Sequence, residues 1–356
     1  MSRIFNVAVI GLGIGARHIR EGYMPNTDIF KVATLCDLDP ARLKQYGEEF
    51  SVDHRTGDFD AVLADPSIDV VDICTPPNTH YDLIVKALAS GKHVICEKPL
   101  VGSLEEIDRL IVHEKAAKGR LMPIFQYRYG DGVHKARRII EAGLAGKPYI
   151  ATSETHWTRL ADYYAVPWRG KWATELGGVL MTHAIHINDM LSYLMGPVAS
   201  LFARVATRVN PIEVEDCVSL SLEMASGALA TVSATLGAAE ETSRLKLCFE
   251  NVTFESSHAP YHPGGDPWTI IPANPEVDAK IEALLEGWVP MKQLFSGQMR
   301  DFHDCLVNDK PTPVTTEDSR RSLEFLTACY WSARQKQPVA FPIGSDNAYY
   351  DGWRKS

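Results

Sequence analysis

A chain of 356 residues, 45% hydrophobic and 23% charged, has an ordinary globular composition, and at roughly 100–200 residues per domain it holds two domains. The formal net charge of −9 is spread along the chain with no basic block, which argues against nucleic acid and anionic membrane surfaces as partners. Seven cysteines, an odd number with no Cys-x-x-Cys pair, read as reduced thiols of a cytoplasmic protein rather than a disulfide framework or zinc site. The first residues run straight into a strand-like segment without the pattern of a signal peptide, and no apolar run reaches the roughly 18 residues of a membrane span.

The first third alternates short apolar runs with helical stretches. Phe5–Ile10 (FNVAVI) ends in Gly11-Leu12-Gly13-Ile14-Gly15-Ala16, followed by a helical stretch from Arg17 to Tyr23. Lys31–Cys36 ends in Asp37, and Asp39-Pro40 then has the cap and first-turn proline of a helix start. Val70–Cys74 ends in Thr75-Pro76-Pro77-Asn78, a helix runs from Thr79 to Ala89, and His93–Cys96 leads into Glu97-Lys98-Pro99. Strand, helix, strand, helix is the pattern of a parallel sheet with crossover helices.

The turn after the first strand has the form G-x-G-x-x-A, in Gly11, Gly13 and Ala16. Such a turn lets a pyrophosphate approach the backbone at a helix start, with Ile14 among the residues beside it. Asp37 closes the second strand about 20 residues on, where a carboxylate accepts the hydroxyls of an adenosine ribose and repels a 2′-phosphate. NAD is therefore the expected cofactor, in preference to NADP. Thr75, Pro76, Asn78 and His80 follow the third strand and are expected to border it, with Glu97 and Lys98 after the fourth. His80 reads equally as a helix-start residue, and Lys98 taken alone reads as a solvated lysine at a strand end.

After Met122-Pro123 the pattern changes. Runs with β character occur at 149–156, 201–209, 217–223, 228–236, 245–249 and 268–271, with helical stretches at 132–142, 178–195, 297–308 and 316–335. No glycine-turn-helix units separate the runs, so an antiparallel sheet is expected. The expected division is 1–123 for a dinucleotide-binding domain and 124–356 for a substrate-binding domain.

Three stretches carry a resemblance: GLGIGA, the block CTPPNTHYDLIVKALASGKHVICEKPL at 74–100, and GGVLMTHAIHINDML at 177–191. With these the chain resembles the Gfo/Idh/MocA family of oxidoreductases, which includes glucose–fructose oxidoreductase and inositol dehydrogenase. The resemblance covers about residues 5–340. It implies an α/β fold: an N-terminal Rossmann domain with a doubly wound parallel sheet, and a C-terminal α+β domain whose open, mostly antiparallel sheet joins subunits into a dimer or tetramer. It also implies that Lys98 sits at the nicotinamide beside the hydroxyl being oxidised, and that His186 and Asp189 match the end of a G-G-x-x-x-D-x-G-x-H-x-x-D pattern. Thr182 stands where that pattern has its first aspartate. A threonine can hydrogen-bond a sugar hydroxyl but cannot tune a pKa as a carboxylate does.

On a helix Thr182 and His186 share one stripe, and His183 and His186 are also neighbours. Alcohol oxidation removes a hydride from carbon and a proton from oxygen. A histidine starts at about 6.5 and is suited to taking that proton, whereas a lysine starts at about 10.4 and must be depressed. His186 is favoured as base with Lys98 polarising the hydroxyl, and the reverse assignment stays open. A packed helix histidine is the alternative for each of His183 and His186. Their spacing also suits a metal, but no further ligand motif accompanies it, so no metal is expected. His156, Tyr163, Trp168 and Arg169 belong to an aromatic run that suits a sugar ring. Arg128 is a further candidate at the substrate, or a brace near the domain junction. The expected activity is NAD-dependent oxidation of a sugar or polyol: an aldose such as a pentose or apiose to a lactone, or an inositol or sugar to a ketone. An NAD-dependent glycoside hydrolase and a non-catalytic NAD sensor are the alternatives.

Overall fold

The computed structural model describes residues 3–353, so the first two and last three residues of the expected domains lie outside it. The chain divides into two compact units: residues 1–125 with 294–320, and residues 126–293 with 321–356. The boundary falls two residues beyond the expected one. The larger difference is that the chain returns to the first unit at 294–320, which composition does not signal.

The first unit is built on six parallel strands, β1 (Phe5–Ile10), β2 (Phe30–Cys36), β3 (His54–Thr56), β4 (Val70–Ile73), β5 (His93–Cys96) and β6 (Leu121–Pro123), in the order β3-β2-β1-β4-β5-β6. That order places β1 and β4 at the point where the order of the strands reverses, the usual crevice for a dinucleotide. Strands β1, β4 and β5 are buried on both faces, hence their continuous apolar text. Asp72, in the middle of β4, is the exception, being an acid with no exposure. The helix Pro40–Phe50 starts as expected, with Asp39 Oδ1 accepting the Ala41 N–H at 2.9 Å. After β1 a short α-turn, Gly15–Arg17, runs into a π-helix, His18–Tyr23, on which the returning helix Leu294–Asn308 packs. The next helix, Thr316–Gln335, is capped at Thr315. Thr315 and Asp318 form the reciprocal pair, with the Asp318 N–H donating to Thr315 Oγ1 at 3.1 Å and the Thr315 N–H to Asp318 Oδ2 at 2.8 Å.

The second unit contains an eight-stranded sheet of β7 (Pro148–Thr158), β8 (Val198–Ala206), β9 (Cys217–Met224), β10 (Leu229–Thr235), β11 (Gly237–Phe249), β12 (Val252–Glu255), β13 (Thr269–Pro272) and β14 (Val339–Ala340). Its order is β13-β12-β11-β7-β10-β9-β8-β14, and β7 pairs parallel with β10 while the other pairs are antiparallel. Along β7, buried Ser153, Thr155 and Trp157 alternate with half-buried Thr152, Glu154 and His156, the signature of a sheet covered on one face. The covering element is a π-helix, Leu180–Ala184, continued by the α-helix Ile185–Met195. All seven cysteines are free, and no helix among the described residues is long and apolar enough to cross a membrane.

Candidate active site

In the first unit the turn after β1 has the geometry a dinucleotide needs. Gly11 has φ +88°, and a Cβ there would lie 2.8 Å from the Cys74 carbonyl oxygen, so both backbone conformation and the neighbouring end of β4 demand glycine. A Cβ at Gly13 would meet nothing within 4 Å, leaving that position open to a ligand. The close approach of helix to strand is made by Gly15, whose Cβ would fall 2.8 Å from Val9 Cγ1, rather than by the buried Ala16. Ile14 is exposed beside the turn. Asp37 accepts the Leu12 N–H at 2.7 Å on one carboxylate oxygen and the Asp39 N–H at 2.9 Å on the other. This fixes the carboxylate against the glycine turn, and each oxygen keeps a second lone pair for a ribose hydroxyl. The residues therefore fit an adenine dinucleotide, which Gly11, Gly13 and Ile14 would hold at its pyrophosphate and Asp37 at its ribose.

Thr75 hydrogen-bonds Thr79 at 2.7 Å, Pro76 is half-buried and Asn78 is exposed. His80, however, is fully buried, with Nδ1 2.9 Å from the Pro99 carbonyl and Nε2 2.9 Å from the Thr75 carbonyl. Its ring ties two loops together, and burial lowers its pKa. Lys98 follows β5 half-buried, its backbone N–H donates to Glu97 Oε2 at 3.0 Å, and the Lys98–Pro99 peptide is cis. Glu97, expected at the cofactor, is buried, and its Oε1 lies 2.9 Å from His18 Nε2. His18 and Asp72, which join Glu97 in one buried cluster, were not singled out from the sequence. The signal was present, since a carboxylate inside VVDIC requires a buried partner.

In the second unit the Thr182 hydroxyl donates to the Gly178 carbonyl at 2.7 Å and lies 2.6 Å from His183 Nδ1. With the hydroxyl donating to the Gly178 carbonyl, its oxygen accepts from a proton on His183 Nδ1, the tautomer this pairing favours. The His183 ring meets Trp157 edge-on at 5.2 Å and lies 5.6 Å from Tyr163. Arg169 donates to the Tyr163 hydroxyl, packs over Tyr163 and Trp168 at 3.8 and 4.5 Å, and lies 3.4 Å from Glu175. Arg159, absent from the sequence reading, covers Trp157 at 4.9 Å and Tyr163 at 5.4 Å. Thus Tyr163, Trp168 and Arg169 form one cluster around His183, whereas His156 does not join it. His156 points from the opposite face of β7 and lies 2.9 Å from Ser233 Oγ.

His186 is buried, its ring stacked on Tyr127 at 4.6 Å and 27°. Arg128 braces the turn that carries it. Its buried guanidinium donates through Nε and NH2 to both oxygens of Asp189, at 2.7 and 2.6 Å, tying the Gln126–Arg128 turn to the helix that carries His186. The start of that helical stretch is held by Glu215, also unforeseen. Its carboxylate accepts N–H groups from Gly178 and Leu180 and the Tyr330 hydroxyl, and burial raises its pKa to about 7. A Cβ on Gly178 would sit 1.7 Å from the Glu215 carbonyl oxygen, which explains the glycine.

Two family models match this chain: an oxidoreductase family with an NAD-binding Rossmann fold over residues 5–125, and a GFO/IDH/MocA C-terminal domain over residues 133–255. The chain belongs to the Gfo/Idh/MocA oxidoreductase family. Alignments with the first curated relatives span between 54% and 67% of those proteins' length. The myo-inositol 2-dehydrogenase of Thermotoga maritima is 32% identical over 193 residues, 53% of this chain and 54% of that one. The scyllo-inositol 2-dehydrogenase (NAD(+)) of Bacillus subtilis is 27% identical over 347 residues, 94% of this chain and 96% of that one. Among solved structures, the WlbA dehydrogenase of Bordetella pertussis in complex with NADH and UDP-GlcNAcA has a TM-score of 0.84 and 26% identity, covering 96% of this chain and 100% of that one. The parallel sheet, the glycine turn and Asp37 accord with NAD as the family's cofactor.

Proposed function

We propose that this protein is an NAD-dependent dehydrogenase that oxidises a secondary or anomeric hydroxyl of a sugar or polyol. The observation that carries the reading is the setting of Lys98: half-buried just beyond the carboxyl end of β5 in an NAD-binding sheet, with its backbone held by Glu97. The bound nicotinamide supplies the hydride acceptor. The protein's residues handle what remains of the hydroxyl. Lys98 donates to the substrate oxygen and offsets the developing alkoxide charge, His186 takes the proton, and His183, fixed by Thr182, bonds a neighbouring hydroxyl through Nε2. The C–H pair leaves as hydride, the O–H bond breaks toward the base, and a carbonyl forms.

The aromatic set Trp157, Tyr163 and Trp168 supports a sugar or polyol over an aliphatic alcohol, since flat faces with polar tips suit ring C–H and O–H groups alike. Inositols, pentoses including apiose, and nucleotide-linked sugars are the candidate substrates. The outer face of the second sheet, with Ile150 and Leu229 exposed in register on β7 and β10, is the surface we assign to self-association. A screen of these sugars for NADH absorbance tests the reading, with Lys98→Met as its control. We expect turnover to drop at least about 100-fold while NAD binding stays within about threefold. Near-normal turnover by Lys98→Met would refute the role of Lys98.

A further inference from the structure

Beneath the Lys98 loop lies a chain of buried polar groups that the reaction above does not use. The Tyr23 hydroxyl donates to Asp72 Oδ2 at 2.9 Å. The same oxygen lies 2.9 Å from His18 Nδ1, and His18 Nε2 lies 2.9 Å from Glu97 Oε1. The other Glu97 oxygen accepts the Lys98 N–H at 3.0 Å. Four hydrogen bonds in series thus run from the π-helix through β4 to the residue after β5. Cys74 adds its sulfur at 3.4 Å from both Asp72 Oδ1 and His18 Nδ1. The Phe295 ring, 4.5 Å from that of His18, closes the site from the returning helix.

We propose that His18 is a positioning residue for Lys98: as an imidazolium held between Asp72 and Glu97, it locks the Glu97 carboxylate against the Lys98 backbone. This rests on the role given to Lys98 above. The protonation state follows from the geometry. Each ring nitrogen faces a carboxylate oxygen at hydrogen-bond distance, and a neutral imidazole has only one N–H to give. The other nitrogen would set a lone pair against an anion in a site closed to solvent, His18 and Asp72 having no exposure. Burial opposes the charge and the Asp72 carboxylate favours it, and His18 is held well above its ordinary range. Burial pushes the Cys74 thiol up as well, so Asp72 and Glu97 are the partners that matter near neutral pH.

An ion network of this kind is a poor route to stability, because apolar side chains of similar volume do as well or better. What it provides is direction. The network joins elements on both sides of the β1/β4 crevice and leaves Glu97 no alternative rotamer without stranding a buried charge. A lysine that must meet a substrate oxygen tolerates little misplacement, and about 1 Å can cost on the order of 100-fold in rate. The nitrogen, oxygen and sulfur of His18, Asp72 and Cys74 also lie within 4.8 Å of one another, a spacing a metal could use. An imidazolium has no lone pair to give a metal, so the two readings exclude each other at His18.

Three measurements on the full chain with NAD test the proposal. Nitrogen-15 spectra of labelled histidine should show both His18 ring nitrogens protonated at pH 7. A neutral tautomer, or stoichiometric metal in the purified protein, overturns it. In His18→Gln, or in Asp72→Asn should His18→Gln not fold, exchange of the Lys98 amide should accelerate at least about tenfold. Amides inside β1 should keep their rates, because a general loss of stability would accelerate both. On the sugar giving the highest NADH rate, kcat should fall at least about tenfold with KM and the NAD dissociation constant within about threefold. Unchanged Lys98 exchange together with kcat within about threefold of the parent overturns the proposal. Lys98→Met is assayed in parallel. If it loses turnover while the His18 and Asp72 variants do not, the positioning role fails and the dehydrogenase reading stands; if Lys98→Met itself keeps turnover, the reading of Lys98 fails first.

Discussion

Arg128 and Asp189 form a two-pronged, almost fully buried ion pair that fastens the first turn of the second unit to the helix carrying His186, one turn before Asp189. Breaking it from one side leaves a buried charge without its opposite charge, at a cost of about 3–5 kcal/mol. Arg128→Met should lower the urea midpoint accordingly and reduce turnover through displacement of His186. The double variant Arg128→Met/Asp189→Leu should recover more than half of the lost stability, since it removes the stranded charge. Additive losses in the two single variants and the double variant would show that the pair is not coupled.

Asp37 is the residue we expect to govern the choice of dinucleotide. Its carboxylate is pinned by the Leu12 and Asp39 N–H groups and cannot swing away from a 2′-phosphate. The nearest cation, Arg42, is half-exposed and 3.9 Å away, too loosely held to offset it. Isothermal titration should give NAD at least about tenfold tighter than NADP, and Asp37→Ser should bring the two within about threefold. NADP binding tighter than NAD in the parent would reverse the assignment.

Glu215 makes stability depend on pH. Its folded value of about 7 lies above the ordinary carboxylate value of 4.5, because burial disfavours the anion. The folded chain therefore holds a proton that the unfolded chain has released between those limits. By linkage, stability from this group is fullest below about pH 4.5 and declines as pH rises toward 7, by up to about 3 kcal/mol. Glu215→Gln cannot titrate, so the difference between variant and parent unfolding free energies should shift across that window and level off above it. A constant difference from pH 4.5 to 8 would exclude Glu215 as the titrating group.

Tyr163 and Arg169 should affect substrate affinity more than chemistry. Tyr163→Leu removes a face packed beside His183 and the hydroxyl that Arg169 holds. It should raise KM for the sugar at least about fivefold with kcat changed less, the mark of binding shared by ground and transition states. His156→Ala, on the far face of β7, should leave both constants within about twofold.

The parallel sheet was legible because a strand buried on both faces must be written in apolar residues, and β1, β2, β4 and β5 stand where their runs suggest. The short strands β3 and β12 and the helix Pro275–Leu285 carried no comparable pattern and went unread. At the site, spacing identified the His183–His186 segment, but side-chain direction decided roles that spacing leaves open. His156 and Trp157 are neighbours in sequence and lie on opposite faces of one strand. His80 and Arg128 looked equally available, yet each is spent on a contact made by residues far along the chain. Long-range partners are what a linear text hides. Glu215 is 37 residues from the Gly178 N–H it holds, and His18 is 79 from Glu97.

The return of residues 294–320 to the first unit has a consequence for synthesis. The polypeptide passes between units three times, at 125/126, 293/294 and 320/321. When the nucleotide-binding sheet has left the ribosome, the helix that supplies Phe295 over His18 has not yet been translated. The usual order, in which the leading domain closes before the next begins, is not available to this chain. The half that emerges first must wait with its polar cluster uncovered, and the last 36 residues then complete the half that was started second.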